Sequence, residues 1–303
     1  MNTALQEFAA AIVWKQIFGV ENRINCGWLA ADLTAKMKTN LLRQIFPGCL
    51  VAALAVMLSG CTTVPVTGRS QLMLMSPSQE MQLGLTSFDQ LKKETPVSKN
   101  VAANALVQKV GKRIAAVAQA DMPGAQWEFV VFDSKEANAF CLPGGKVGVY
   151  TGILPITKDE GGMATVLGHE IAHAVARHGG ERMSQAMVMQ TGGQILSAST
   201  ASVDPRWQAV AAVAYGVTAK VGVELPHSRG QESEADQIGL RYMARAGYDP
   251  EAAVAFWQRF GAFSAQQGNN TPAFLRTHPT DETRVQQLKE WMPAAKAEFK
   301  VAQ

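Results

Sequence analysis

Five histidines are spread over 303 residues, and two of them stand four apart in His169-Glu170-Ile171-Ala172-His173. An α-helix advances about 100° per residue, so side chains at this spacing lie one above the other, and two such imidazoles can grip one ion. Glu170, one residue on from His169, then stands beside that ion, where a carboxylate can take the proton of an attacking water. The pattern serves metal-assisted hydrolysis.

The stretch is predicted to be helical because Met163, Val166, Leu167, Ile171, Ala174 and Val175 recur at helical spacing. Gly179-Gly180 is expected to end that helix, leaving His178 at its C-terminus with a role in packing and with the helix dipole. A metzincin extension would require glycine at 176 and histidine at 179; Ala176 and Gly179 exclude it.

Two histidines leave a zinc site one protein ligand short of the three that a catalytic centre uses, with the fourth position left open. Ser228-Arg229-Gly230-Gln231-Glu232-Ser233-Glu234-Ala235-Asp236 supplies a carboxylate. Ser228 and Gln231 read as a capping box that starts a helix running to Gly247. On it Glu232, Asp236, Gly239 and Met243 share one face, whereas Glu234 points nearly opposite. Glu232 is therefore assigned to the metal and Glu234 to solvent. Asp236, one turn after Glu232, suits a carboxylate that accepts the free ring N–H of a ligating histidine.

At these residues the sequence resembles a known family. Gly168 to His173 (G-H-E-I-A-H) and Ser228 to Asp236 (S-R-x-x-E-x-E-A-D) are similar to the HtpX, CAAX-prenyl-protease and BepA/LoiP-type zinc metalloendopeptidases, with most likeness to the LoiP-like outer-membrane lipoproteins. Asn138 to Gly145, His278-Pro279 and Arg284 match too, so the likeness runs over residues 76–295. It implies a gluzincin-like protease domain with Glu232 as third ligand. His227 departs from the apolar residue expected before Ser228 and adds a possible ligand.

The expected function is a zinc-dependent metalloendopeptidase with one Zn(2+) per chain, held by His169, His173 and Glu232, with Glu170 as general base. A second electrophile is expected among His278, His227 and Arg284. For His278, three roles stand open: fourth zinc ligand, oxyanion donor, or a helix-entry residue without chemistry. The competing class is a zinc-containing lipoprotein adaptor or chaperone without proteolysis. Glu170 argues against it, because a structural site needs no base.

Met37, Lys38 and Arg43 lead into an apolar run from Cys49 to Leu58 and then Leu58-Ser59-Gly60-Cys61, too short for a transmembrane helix. The ending resembles a bacterial lipobox and implies cleavage before Cys61 and lipidation of its sulfur. Thr62 in place of aspartate points to the bacterial outer membrane, facing the periplasm. Unfolded or misfolded envelope proteins are then the expected substrates, and the lipid the link to the membrane. Residues 1–36 fit neither signal nor domain and read as an extension ahead of a translation start at Met37. That leaves 37–60 as signal peptide, 61–75 as a linker and 76–303 as the peptidase domain. Of the four cysteines, only Cys141 then remains as a thiol, with burial as its default role. A net charge of +3, without a basic run interleaved with aromatics, argues against nucleic acid as a partner.

The fold class expected is α+β: a mainly helical zincin-like domain with a small β-sheet beside the H-E-x-x-H helix. Helices are predicted over 77–93 and 100–120 and strands over 127–132, 137–142 and 146–150. An edge strand among these, Asn138 to Cys141 (with Asn138 and Ala139 leading) or Lys146 to Tyr150, could pair with an extended substrate. Further helices are expected over 181–198, over Trp207 to Val223 as a core helix or cleft wall, over 251–263, and after Thr280.

Overall fold

The computed structural model describes residues 61–220, 225–266, 272–279 and 282–299. The extension and signal peptide read over 1–60 lie outside the described residues, as do the side chains of Cys61 and His227. The chain opens on a hairpin, β1 (Cys61–Thr63) and β2 (Ser70–Leu72), followed by α1 (Pro77–Glu94) and α2 (Val101–Ala118). Next come β3 (Glu128–Phe132), β4 (Ala139–Leu142) and β5 (Lys146–Tyr150), a 3-10 turn (Thr151–Ile153) and α3 (Leu154–Thr157). The rest is helical: α4 (Glu160–Val175), α5 (His178–Ser199), α6 (Pro205–Ala219), α7 (Leu225–Arg245), α8 (Glu251–Gln266), α9 (Ala273–Thr277) and α10 (Glu282–Ala297). The molecule is mainly helical with small sheets, as expected.

Local chemistry explains the boundaries. Ser76 and Gln79 form a reciprocal capping box around Pro77 at the start of α1, and Asp159 caps α4 by accepting from the Gly162 N–H at 2.8 Å. α7 begins at Leu225, ahead of the Ser228 start expected from sequence. Pro226 explains the difference, since in a first turn the N–H it lacks would have had no helical partner.

The three-stranded sheet has the order β3-β5-β4, with β5 parallel to β3 and antiparallel to β4. Lys146 to Tyr150 is therefore the central strand and cannot be the substrate edge, because its backbone is bonded on both sides. Behind the sheet lies α4, buried from Gly162 to Val175 and packed against α2, α7, α8 and β4. A helix apolar on nearly all sides must be enclosed. Its polar exceptions are Thr165 and the three residues His169, Glu170 and His173.

Two further expectations fail. Residues 61–75 are no loose linker: the hairpin is folded onto the domain, with Val64, Gln71 and Met73 buried. The described part of the stretch read from Trp207 is no core helix either, because α6 has no buried residue and exposes Trp207, Val210, Val213 and Val217. It rests on α5, to which Tyr215 donates from Oη to the Met189 carbonyl at 2.7 Å. Among the described residues no helix is long and apolar enough to cross a membrane.

Candidate metal centre

Helices α4 and α7 meet backbone to backbone at Gly168 and Gly239. A Cβ on Gly239 would stand 2.9 Å from both Gly168 C and His169 N, so only glycine permits the approach. This contact sets Glu232 and Asp236, seven and three residues before Gly239, against His169 and His173. His278, at the C-terminal end of α9, closes the group from the far end of the chain.

His169 Nε2 lies 3.0 Å from His173 Nε2 and 3.1 Å from His278 Nδ1. Glu232 Oε2 is 2.8 Å from His278 Nδ1 and 3.3 Å from His169 Nε2, and Glu232 Oε1 is 3.3 Å from His173 Nε2. The four residues are buried, and one ligand atom from each lies within 4.8 Å of all the others. Such a group fits a metal ion. Three ring nitrogens and a carboxylate converge on one point, and Glu232 Oε1 is buried without an aligned hydrogen-bond donor. Imidazole with carboxylate is the donor set of catalytic zinc.

Glu170 does not point into that point. Its Oε1 lies 3.3 Å from His278 Nε2, in poor alignment, and has no hydrogen-bond partner despite burial. Burial raises its pKa above the usual 4.5, against the opposing pull of His278 and His169. Glu232 moves the other way. Burial would raise it, yet His173 and His278 hold it well below the carboxylate range.

Asp236 Oδ1 is 2.8 Å from His169 Nδ1, which leaves Nε2 of that ring facing the cluster. Arg284 donates from Nη2 to the same Asp236 oxygen at 2.7 Å, lies over the Trp257 ring at 3.5 Å from its centroid, and comes within 3.6 Å of Glu232. Burial disfavours a charged His169, but Asp236 and Glu232 outweigh it and lift its pKa to about 9. In α9, the Phe274 N–H donates to the Ala137 carbonyl at 3.1 Å, pinning the His278 segment to the chain just before β4. β4 is an edge strand. Asn138 precedes it and accepts at Oδ1 from the Ala139 N–H at 3.0 Å. Cys141 on β4 is half-buried, and burial together with the charge of Glu170 pushes its thiol well up.

Four residues of this neighbourhood, His178, Gly179, Gly180 and Glu234, lie elsewhere than the sequence suggests. α4 ends at Val175, and Arg177 takes a left-handed backbone at φ 56°, so Gly179 and Gly180 are inside α5 and not terminators. Arg177 is held there by Glu80 at 2.7 Å and the Met75 carbonyl at 3.1 Å. His178 thus heads the next helix, fully buried, with Nδ1 2.8 Å from His173 Nδ1 and Nε2 3.0 Å from Glu234 Oε2. Glu234 is accordingly buried, not turned to solvent. The available signal was a further histidine five residues past the motif and a second glutamate two past Glu232.

With that geometry in view, the matches to known proteins fall into place. The model of peptidase family M48 matches residues 102–292. This chain belongs to that family. It is 41% identical over 189 residues to the mitochondrial metalloendopeptidase OMA1 of Schizosaccharomyces pombe, covering 62% of this chain and 53% of that protein. It is 30% identical over 265 residues to OMA1 of Saccharomyces cerevisiae, covering 80% and 74%. It is 26% identical over 254 residues to the beta-barrel assembly-enhancing protease of Escherichia coli, covering 82% and 51%. The chain thus spans about half the length of the first and third of these relatives. They also correct the location read from Leu58-Ser59-Gly60-Cys61. The more similar relatives carry mitochondrial names, in fungi, animals and a plant, and the bacterial one is less similar, which points away from a bacterial outer membrane. They lend nothing specific to a LoiP-like lipoprotein or to lipid on Cys61.

Proposed function

We propose that the protein is a zinc metalloendopeptidase in which His169, His173 and Glu232 hold one Zn(2+) and Glu170 is the general base. The convergence of these three side chains on one buried point, with Glu170 Oε1 buried beside it without a hydrogen-bond partner, carries the reading. Bound there, zinc supplies Lewis-acid polarisation of the scissile carbonyl and acidifies water. Glu170, its pKa raised by burial, takes the proton of the attacking water at Oε1 and hands it to the leaving amine. Asp236 keeps the proton of His169 on Nδ1, and Arg284 keeps Asp236 in place.

His278 takes the fourth position in the arrangement described and holds the site closed, since its Nδ1 is among the converging atoms and only 8% of the residue is exposed. Arg284 is committed to Asp236, which leaves its oxyanion role to a rearranged state. The substrate lies along the free edge of β4, which recognises extended backbone and so favours unfolded or misfolded polypeptides. The name of the Escherichia coli relative, a protease that enhances assembly, supports this class. The reading of a zinc-bearing adaptor without proteolysis leaves Glu170 unexplained.

The test is metal analysis of the purified protein with cleavage of an unfolded reporter protein, with and without chelator. About one zinc per chain and chelator-sensitive cleavage are expected. Metal-free protein that cleaves, or zinc-loaded protein that never does, would overturn the assignment.

A further inference from the structure

The β1–β2 hairpin lies wholly before residue 102, where the family match begins, yet it reaches the ligand set. Its turn passes through Gly68 at φ +72°, a conformation suited to glycine, and returns Arg69 to the domain. Arg69 grips Glu181 with both terminal nitrogens at 2.8 Å and donates from Nε to Glu234 Oε2 at 2.7 Å. Thr67 donates from its hydroxyl to the other Glu234 oxygen. Gln231 donates to Glu181 at 2.7 Å, tying the pair back to α7. Glu234 in turn faces His178, and His178 faces His173.

The protons along this path have one consistent order. For His173 Nε2 to offer a lone pair to the metal, the ring proton must sit on Nδ1. That proton points at His178 Nδ1, which must therefore accept, so His178 carries its own proton on Nε2 and donates it to Glu234. Glu234 must be ionised. It faces Thr67, Arg69 and His178 as the common acceptor of three donors. His178 must be neutral, because its Nδ1 is the acceptor in this order.

Resting on the zinc assignment above, we propose that the β1–β2 hairpin is a positioning element of the metal centre. Through Arg69, Glu234 and His178 it fixes the tautomer and direction of His173. His169 needs no such relay, because Asp236 touches it directly. The ligand on α4 nearer the helix end thus depends on a segment more than 100 residues upstream, with Arg69 its outermost member at 32% side-chain exposure.

The test is zinc affinity by chelator competition on the full chain, with the visible absorption of the cobalt(II)-substituted protein as a reporter of ligand geometry. His178→Phe keeps bulk but breaks the path, and should weaken zinc binding on the order of 10- to 100-fold. His178→Gln, whose amide both accepts and donates, should recover most of that loss. Arg69→Met should weaken binding several-fold and change the cobalt spectrum while the fold, followed by circular dichroism, persists. Wild-type zinc affinity in folded His178→Phe or in folded Arg69→Met overturns the proposal. Should His178→Phe fail to fold, Arg69→Met decides alone, because its side chain is at the surface. A wild-type protein that binds no zinc would overturn the metal assignment as well, whereas wild-type affinity in the variants would strike only the hairpin's role.

Discussion

The crossing of α4 and α7 and the pairing of α5 and α6 use similar raw material to opposite ends. All four helices carry glycines and small apolar residues. At the crossing, Gly168 and Gly239 let two backbones touch, and the side chains beyond them are sealed in. In the outer pair, Gly192 lies against the Tyr215 side chain, and Trp207, Val210, Val213 and Val217 stay in solvent. Apolar content thus does not say whether a helix is enclosed; the partner does. The crossing brings together His169, His173 and Glu232, and the outer pair holds none of the converging atoms.

The largest effect should come from the crossing's carboxylate. Glu170→Gln should lower turnover by roughly 10²- to 10⁴-fold with zinc content unchanged, the range that a lost acid–base group gives. Normal turnover in a metal-loaded Glu170→Gln sample would detach the crossing from the chemistry. Gly239→Val should push a branched side chain into Gly168 and His169, destabilising the fold by about 1–3 kcal/mol or more, read as a lower denaturation midpoint. His278→Ala should raise basal cleavage of an unfolded reporter, because the residue proposed to close the fourth position is gone. A fall in turnover would instead make His278 an oxyanion donor.

A smaller and pH-dependent effect is expected at the hairpin. Burial would raise the Glu181 carboxyl, but Arg69 and Gln231 hold it below its usual 4.5. A depressed carboxylate contributes stability that is complete above the unfolded pKa of 4.5 and is lost as pH falls through the folded value. In Arg69→Met only Gln231 and His178 are left to oppose burial, so the depression shrinks and with it the stability that the ionised form contributes at neutral pH. The stability gap between wild type and Arg69→Met, from urea midpoints of metal-free protein, should therefore be wide at pH 7 and narrow towards pH 4. A gap independent of pH would mean that Arg69 acts by packing. The smallest effect belongs to the outer pair, where Val213→Ser should change stability by no more than about 0.5 kcal/mol. A larger loss would show that this face is covered.

What could be read from sequence follows from how far each inference had to travel along the chain. His169, Glu170 and His173 sit within one helix, and Glu232 and Asp236 within another, so periodicity alone groups them. The bounds of α1, α2 and β5 were legible because caps, prolines and glycines mark them locally. The Arg177 corner was not legible, since a left-handed arginine is stabilised by Glu80 and Met75, about 100 residues upstream. The same distance hid the burial of Glu234, whose partners Thr67 and Arg69 belong to a segment that looked like a linker. The exposure of α6 was hidden for the opposite reason: nothing local announces a missing neighbour.

The placement of His178 at the first position of α5 has a mechanical consequence. α5 has 22 residues, a rod of about 33 Å at 1.5 Å per residue. Moving its far end by about 3 Å pivots the root by only about 5°, inside the 10–20° within which a bound constellation keeps its geometry. Leverage therefore runs the wrong way for disturbance. Knocks and tugs on the outer tip reach His178 as a slight rotation, and a hard-working centre is sprung against the traffic outside.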